Sequence, residues 1–288
     1  MLEAAGGVVG AGYSGPMMRD TPGHKGPMNG GWAVRLAAST LGMPGAGLDE
    51  VCRVLAGGGC SGIELRAGEG QPVHVGLTRS ERTAVRRKLA EARLAPLAVS
   101  SYVNICAPGD DGAVVDDVVA HADLAADLGA LGVRVFPGGA GDGGDDERGR
   151  RRLAAAAEVA GRRGVRVLVE THDSHPRGAD VVRLVDGVEG AGVIWDFVHP
   201  WRSGEEPKAT YDAVGPWLAY VQLKDAVPPL ERPVPALIGS GAVPLDAIRA
   251  VLGEHGYDGW WSVEWEKAWF PDIPPLSDAL ASARTWLG

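Results

Sequence analysis

The chain has 288 residues, with 28 Lys+Arg against 37 Asp+Glu and a net charge of −9. An acidic chain with no dense basic run is poorly suited to a phosphate backbone, which argues against a nucleic-acid partner. At 45% hydrophobic and 23% charged residues it reads as globular, and no apolar run approaches the roughly 20 residues of a membrane helix, so no membrane partner is expected.

Residues 1–30 are rich in Gly and Pro and hold no sustained period. They lack the basic start and apolar run of a signal peptide, and they read as an N-terminal extension. Residues 31–288 read as one domain, because no Pro/Ser linker divides them. Short β-type runs alternate there with helical runs. The predicted strands are Ala33–Ala38, Gly62–Arg66, Leu97–Tyr102, Val133–Pro137, Val165–His172, Val193–Phe197, Tyr220–Lys224 and Trp260–Glu266. Between them, Thr78 to Glu81 is a capping-box signature followed by Val85 and Leu89 at helical spacing. Further apolar stripes run from Val115 to Leu128, from Leu153 to Ala160, from Leu245 to Leu252 and from Leu276 to Leu287. Eight βα units predict an α/β fold of the (β/α)8 TIM-barrel type. An open doubly wound sheet would bring a GxGxxG turn after the first strand, which residues 39–44 lack. The three cysteines, Cys52, Cys60 and Cys106, form no CxxC pair or Cys/His cluster, which fits a reducing, cytoplasmic setting without disulfides or a cysteine-based zinc site.

Strand side chains alternate faces, so the parity of the apolar residues sorts the polar ones. Val165, Val167 and Val169 face outward and leave Glu170 and His172 inward. Ile63 and Leu65 leave Glu64 and Arg66 inward, and Val221 and Leu223 leave Gln222 and Lys224 inward. Asp196 shares parity with Ile194, and Glu264 with Glu266. Ionised groups are costly in an interior unless paired or bound to a metal. Glu170, Asp196 and Glu264, on late strands near the rim where barrel active sites form, therefore suggest a divalent cation. Salt bridges to Arg66, Arg134 or Lys224 are the alternative. With the amide oxygen of Gln222 the set is all-oxygen, which suits Mn2+ or Mg2+ and leaves Co2+ or Fe2+ open.

At these residues the chain resembles the sugar phosphate isomerase/epimerase superfamily, the xylose isomerase-like TIM barrels. The resemblance rests on GIELR (62–66), LVETH (168–172), IWDFVHP (194–200), VQLKD (221–225) and SVEWE (262–266), and covers about residue 32 to the C-terminus. It implies one divalent ion, most often Mn2+, held by Glu170, Asp196, Gln222 and Glu264. Gln222 stands where many members have His, a pattern similar to some 3-dehydroshikimate dehydratases. The resemblance further implies an isomerase or epimerase that abstracts a proton from a small hydroxyketone or sugar-like substrate through a metal-stabilised enediolate, with Glu170 and Glu264 as the acid/base pair. A metal-dependent lyase of the dehydratase kind, with His172 or His199 as base, is the alternative. A non-catalytic barrel serving as a binding or pathway partner is a third reading.

His199, in the DxxH pattern after Asp196, is a candidate proton shuttle or substrate contact. Arg66 and Lys224 are candidate contacts to a substrate phosphate or carboxylate, and Glu64 is a further candidate substrate contact, unless Arg66 pairs with Glu64 and Lys224 with Asp225. Trp201 and Trp269 lie in loops where aromatics can wall a pocket. Trp195, Trp261 and Trp265 pack under helices by parity. Glu266 reads as structural or as a support behind the site residues, and His24, His74, His121, His175 and His255 read as loop or helix-surface residues without a role. The expected partner is a small polar substrate, and the expected assembly a homodimer or homotetramer.

Overall fold

A computed structural model of the chain describes residues 34–68 and 70–288. The N-terminal extension read over residues 1–30 lies outside the described residues. In chain order the strands are β1 (Arg35–Ser39), β2 (Gly62–Arg66), β3 (Ala95–Asn104), β4 (Gly132–Phe136), β5 (Arg166–Glu170), β6 (Ala191–Asp196), β7 (Leu218–Leu223), β8 (Asp225–Val227), β9 (Val234–Ala236) and β10 (Trp260–Val263). The helices are α1 (Leu48–Gly57), α2 (Arg79–Glu91), α3 (Asp111–Leu128), α4 (Gly143–Gly161), α5 (Gly178–Val185), α6 (Val198–Arg202), α7 (Pro207–Val214), α8 (Leu245–Glu254) and α9 (Leu276–Leu287). Eight parallel strands close a barrel in the order β1-β10-β7-β6-β5-β4-β3-β2, and β8 and β9 form a separate antiparallel hairpin after β7. Among the described residues no helix is long and apolar enough to cross a membrane.

Parity sorts the barrel into two cores. Ile63, Leu65, Val133, Val135, Val167, Val169, Val193, Val221 and Val263 join the helix-side core, where Leu55, Leu89, Leu124, Leu153 and Leu280 meet them. Trp195, Trp261 and Trp265 are buried in the same core, as their parity predicts. A smaller interior core gathers Ala37, Leu97, Ala98, Leu168, Ile194 and Tyr220. Its close packing depends on glycine: a Cβ on Gly132 would fall 2.8 Å from the Leu168 side chain. A one-residue slip of any strand would exchange the two sets, so burial fixes the register.

Local signals set the helix ends. At α2 the Thr78 hydroxyl accepts the Glu81 amide at 3.3 Å while Glu81 Oε2 accepts the Thr78 amide at 2.7 Å, completing the capping box. At α3 Asp110 caps the Ala113 amide at 2.8 Å. Five strands end before their predicted limits, β5 and β10 by the most, at Glu170 and Val263. Past those points the Thr171 amide still bonds the Ile194 carbonyl and the Glu264 amide that of Leu223. The short helices α1, α5, α6 and α7 and the β8–β9 hairpin were not among the predicted elements.

Candidate functional site

The polar residues with inward parity collect at the C-terminal ends of the strands. Glu170 and Asp196 are the last residues of β5 and β6, and Asp196 pairs in register with Gln222, which pairs with Ser262. Glu264 follows one residue beyond β10. Glu170, Asp196, Gln222 and Glu264 are all buried, at 8% exposure or less.

Two cations thread this cluster. Arg134 Nη1 lies 3.1 Å from Glu170 Oε2. Lys224 Nζ lies 2.7 Å from Asp196 Oδ2, 2.5 Å from Glu264 Oε2 and 2.7 Å from Glu266 Oε1. Lys224 therefore does not pair with Asp225, whose carboxylate instead accepts the backbone amides of Ala226, Gly239, Gly241 and Val243. Glu266 is a partner of the buried ammonium, in keeping with a supporting role, and also lines the cleft. Below them Glu64 Oε2 accepts the Tyr220 hydroxyl at 2.8 Å and the Gln222 amide at 3.3 Å. Among the described residues no ion pair joins Glu64 to Arg66.

The surroundings divide the titrations. Burial pushes Glu170 up to about 8, despite Arg134, and pushes Glu64 up to about 7, with Glu264 adding to it. Burial also raises Asp196. Glu264 goes the other way, because Lys224 and Arg134 outweigh its burial and hold it below the usual carboxylate range. Lys224 is desolvated, but Asp196, Glu264 and Glu266 keep it well above an ordinary lysine.

Two histidines stand over this layer, with ring centroids 4.1 Å apart. His172 Nδ1 lies 2.8 Å from Asp173 Oδ1, and Asp173 and Glu170 lift its pKa against the effect of burial. Asp173 itself has φ 44, a left-handed conformation that Asp tolerates better than most residues. His199 Nε2 lies 3.8 Å from Asp196 Oδ2; burial, then His172, Lys224 and Arg202, hold it well below the usual value and therefore neutral.

These groups floor a cleft of about 450 Å³, lined by His172, His199, Lys224, Glu264, Glu266 and Trp269 and walled on one side by the β8–β9 hairpin. Several sequence expectations take other places. Glu64 is fully buried beneath the cleft, and Trp201 packs against the helix-side core, so neither reaches the cleft surface. Arg66 sits behind Trp269, 5.4 Å from its ring, with Nε on the Tyr102 hydroxyl. His175 lies in a loop and His121 on α3, as read, but both are buried, and His175 Nε2 lies 2.8 Å from Asp146 Oδ1. Tyr220 shares parity with Gln222, and Phe136, whose ring lies 3.8 Å from Arg134 Cζ and 4.4 Å from the His172 ring, shares parity with Arg134, so the signal for both is in the sequence. Arg202 and Arg232, which line the cleft from α6 and the hairpin loop, carry no periodic signal.

The donor atoms fit a divalent cation. Glu170, Asp196 and Glu264 each offer an oxygen, all within 4.8 Å of one another. Among the described residues Gln222 Oε1 is buried with no hydrogen-bond partner, an oxygen without the partner such atoms normally have. Asp196 Oδ2 has the Lys224 ion pair but no aligned hydrogen bond. Glu170, His172 and His199 form an overlapping second set, whose imidazoles would suit zinc better.

The chain matches the family model described as xylose isomerase-like TIM barrel over residues 52–287. It is 28% identical over 183 residues to a Streptomyces coelicolor protein named "Putative hydroxypyruvate isomerase", covering 58% of this chain and 61% of that protein. It is 25% identical over 179 residues to the 3-dehydroshikimate dehydratase of Bacillus anthracis, covering 58% of this chain and 62% of that one. The chain thus spans about three-fifths of the length of these curated relatives. The solved structure of the IOLI protein with a binding zinc atom superposes with a TM-score of 0.73 at 17% identity, over 88% of this chain and 96% of that chain, a likeness of fold.

Proposed function

We propose, from the premise that this chain belongs to the xylose isomerase-like TIM barrel family, that its cleft is the active site of a divalent-metal-dependent isomerase or epimerase. The substrate class is a small hydroxyketone or sugar-like molecule. The observation that carries this reading is the convergence of Glu170, Asp196 and Glu264 within 4.8 Å, beside a cleft lined by Glu264, Lys224, His172 and His199.

Glu170, Asp196, Gln222 and Glu264 would hold the ion, and the all-oxygen set favours Mn2+, then Mg2+, Co2+ or Fe2+. Bound there, a divalent cation polarises a substrate carbonyl and acidifies the adjacent C–H. The chain's own residues supply the proton transfers. Glu264 faces the cleft and is held ionised by Lys224, which suits it to take the carbon-bound proton. Glu170, the carboxylate within 4.8 Å of Glu264 in the same set, is the candidate to return one to the neighbouring position. Lys224 and neutral His199 lie in the floor, placed to hydrogen-bond substrate oxygens.

A second reading is a lyase of the dehydratase kind, favoured by His172. Its ring lies in the cleft floor, with Nδ1 2.8 Å from Asp173 Oδ1 and Nε2 4.0 Å from Glu170 Oε1. There His172 would take the carbon-bound proton and pass it to the departing hydroxyl, which leaves as water.

The test loads the purified protein with Mn2+, counts bound ion by elemental analysis, and incubates it with a panel of hydroxyketones in D2O. The isomerase reading expects about one ion per chain, and solvent deuterium beside the carbonyl that disappears in Glu264→Gln. The lyase reading expects an unsaturated product instead. Neither ion uptake nor any Glu264-dependent turnover would leave the barrel a binding protein.

A further inference from the structure

We propose that Glu64, with Tyr220 behind it, is the positioning residue that turns the Gln222 amide so that its oxygen serves the divalent ion. The inference rests on the metal reading above and adds to it a residue outside the ligand set.

An amide is an ambiguous ligand. One end donates, the other accepts, and a rotation of the terminal torsion exchanges them. A cluster of carboxylates attracts the donor end. Gln222 Nε2 lies 3.5 Å from Glu170 Oε2 and 3.3 Å from Glu264 Oε1, the two carboxylates that would themselves bind the ion. For Gln222 to present oxygen to a cation, its NH2 needs an acceptor that the cation does not also claim. Glu64 Oε2, at 3.3 Å, is that acceptor. Among the described residues it is the remaining carboxylate in reach of Nε2, and it lies on β2, with β10 and β1 between it and the β7 strand of Gln222.

Glu64 is itself held. It is fully buried, and Oε2 also accepts the Tyr220 hydroxyl at 2.8 Å and the Ser100 hydroxyl at 3.5 Å. Tyr220 is likewise fully buried, two residues before Gln222 on the same face of β7. The chain Tyr220–Glu64–Gln222 therefore anchors one end of the amide from below, and Gln222 Oε1 is the end left buried without a partner. Carboxylates that orient metal ligands from behind contribute about 10- to 100-fold to metal affinity.

The test measures Mn2+ binding by calorimetry and by electron paramagnetic resonance on the wild type, Glu64→Gln, Tyr220→Phe, Gln222→Ala and the double variant Glu64→Gln/Gln222→Ala. The side-chain NH2 signals of Gln222 are followed by NMR without ion. The expected result is a loss of about 10- to 100-fold in Mn2+ affinity for Glu64→Gln, a smaller loss for Tyr220→Phe, and shifted Gln222 NH2 signals in both. The Glu64→Gln effect should vanish in the Gln222→Ala background, because the residue acts through the amide. An equal loss in both backgrounds, or unchanged affinity with unmoved NH2 signals, overturns the inference while the metal reading stands. If Glu64→Gln fails to fold, Tyr220→Phe decides by the same two readouts. A wild type that takes up no Mn2+ overturns the metal reading and this inference with it.

Discussion

The Lys224 ammonium lies 2.5 Å from Glu264 Oε2, and its other close partners are Asp196 and Glu266. One lysine thus bridges two carboxylates of the candidate metal set while keeping a third outside it. Lys224 and a dication compete for the same oxygens, and Glu266 gives the ammonium a partner to keep when the others are taken.

Lys224→Met should make the fold depend on metal. Removing one member of a buried ionic cluster costs about 3–5 kcal/mol, because the remaining charges are left uncompensated. In protein stripped with chelator, the variant should unfold at a markedly lower temperature than the wild type. Added Mn2+ should raise its melting temperature more than it raises that of the wild type. Equal melting temperatures for the two stripped proteins would remove Lys224 from this role.

Stability of the stripped protein should fall as pH rises. Burial lifts Glu64 to about 7 and Glu170 to about 8, both above the ordinary value of 4.5. A group whose folded pKa is raised stabilises the fold below its unfolded pKa, and that contribution is lost as pH climbs through the folded value. Urea midpoints should therefore decline between about pH 5 and pH 8, and saturating Mn2+ should flatten the decline. Mn2+ uptake should release protons, detectable as calorimetric heats that differ between buffers of different ionisation enthalpy. Midpoints that rise over the same range would contradict the buried protonated carboxyls.

The barrel and its polar layer were legible because strand parity is a one-dimensional rule. Val165, Val167 and Val169 had to face the helices, and that alone turned Glu170 inward. The same rule separates Lys224 from its neighbour Asp225, since adjacent strand residues face opposite ways. Pairing those two in sequence overlooked it. The loops obey no such rule. Nothing periodic announces that Asp173 holds His172, or that Arg202 and Arg232 reach the cleft. His175 read as surface because Asp146, its partner, is 29 residues away in sequence. Helices α1 and α5 were missed because each is short and begins without a side-chain cap.

The two chemical readings separate at Glu264 and His172. Under the isomerase reading Glu264→Gln removes the base, so kcat should fall by about 10²- to 10⁴-fold, while His172→Asn changes it less. Under the lyase reading the order reverses. Rates for both variants with Mn2+ at saturation decide between them, and Mn2+ affinity measured alongside separates a lost base from a lost ligand. Equal small effects in both variants would place the chemistry elsewhere.

Trp269 offers a test of the cleft that leaves the fold alone. Its ring is 56% exposed, lines the cleft and stacks on the Arg66 guanidinium at 5.4 Å. An aromatic wall contributes about 0.5–1.5 kcal/mol to a packed partner, whereas an exposed substitution changes stability by within about 0.5 kcal/mol. Trp269→Ala should therefore raise KM by about 2- to 12-fold, with kcat and melting temperature nearly unchanged. Arg66→Met should reproduce part of the effect by releasing the ring from its support. If KM stays at the wild-type value in both variants, the substrate does not reach that wall and binds only over His172, His199 and Lys224.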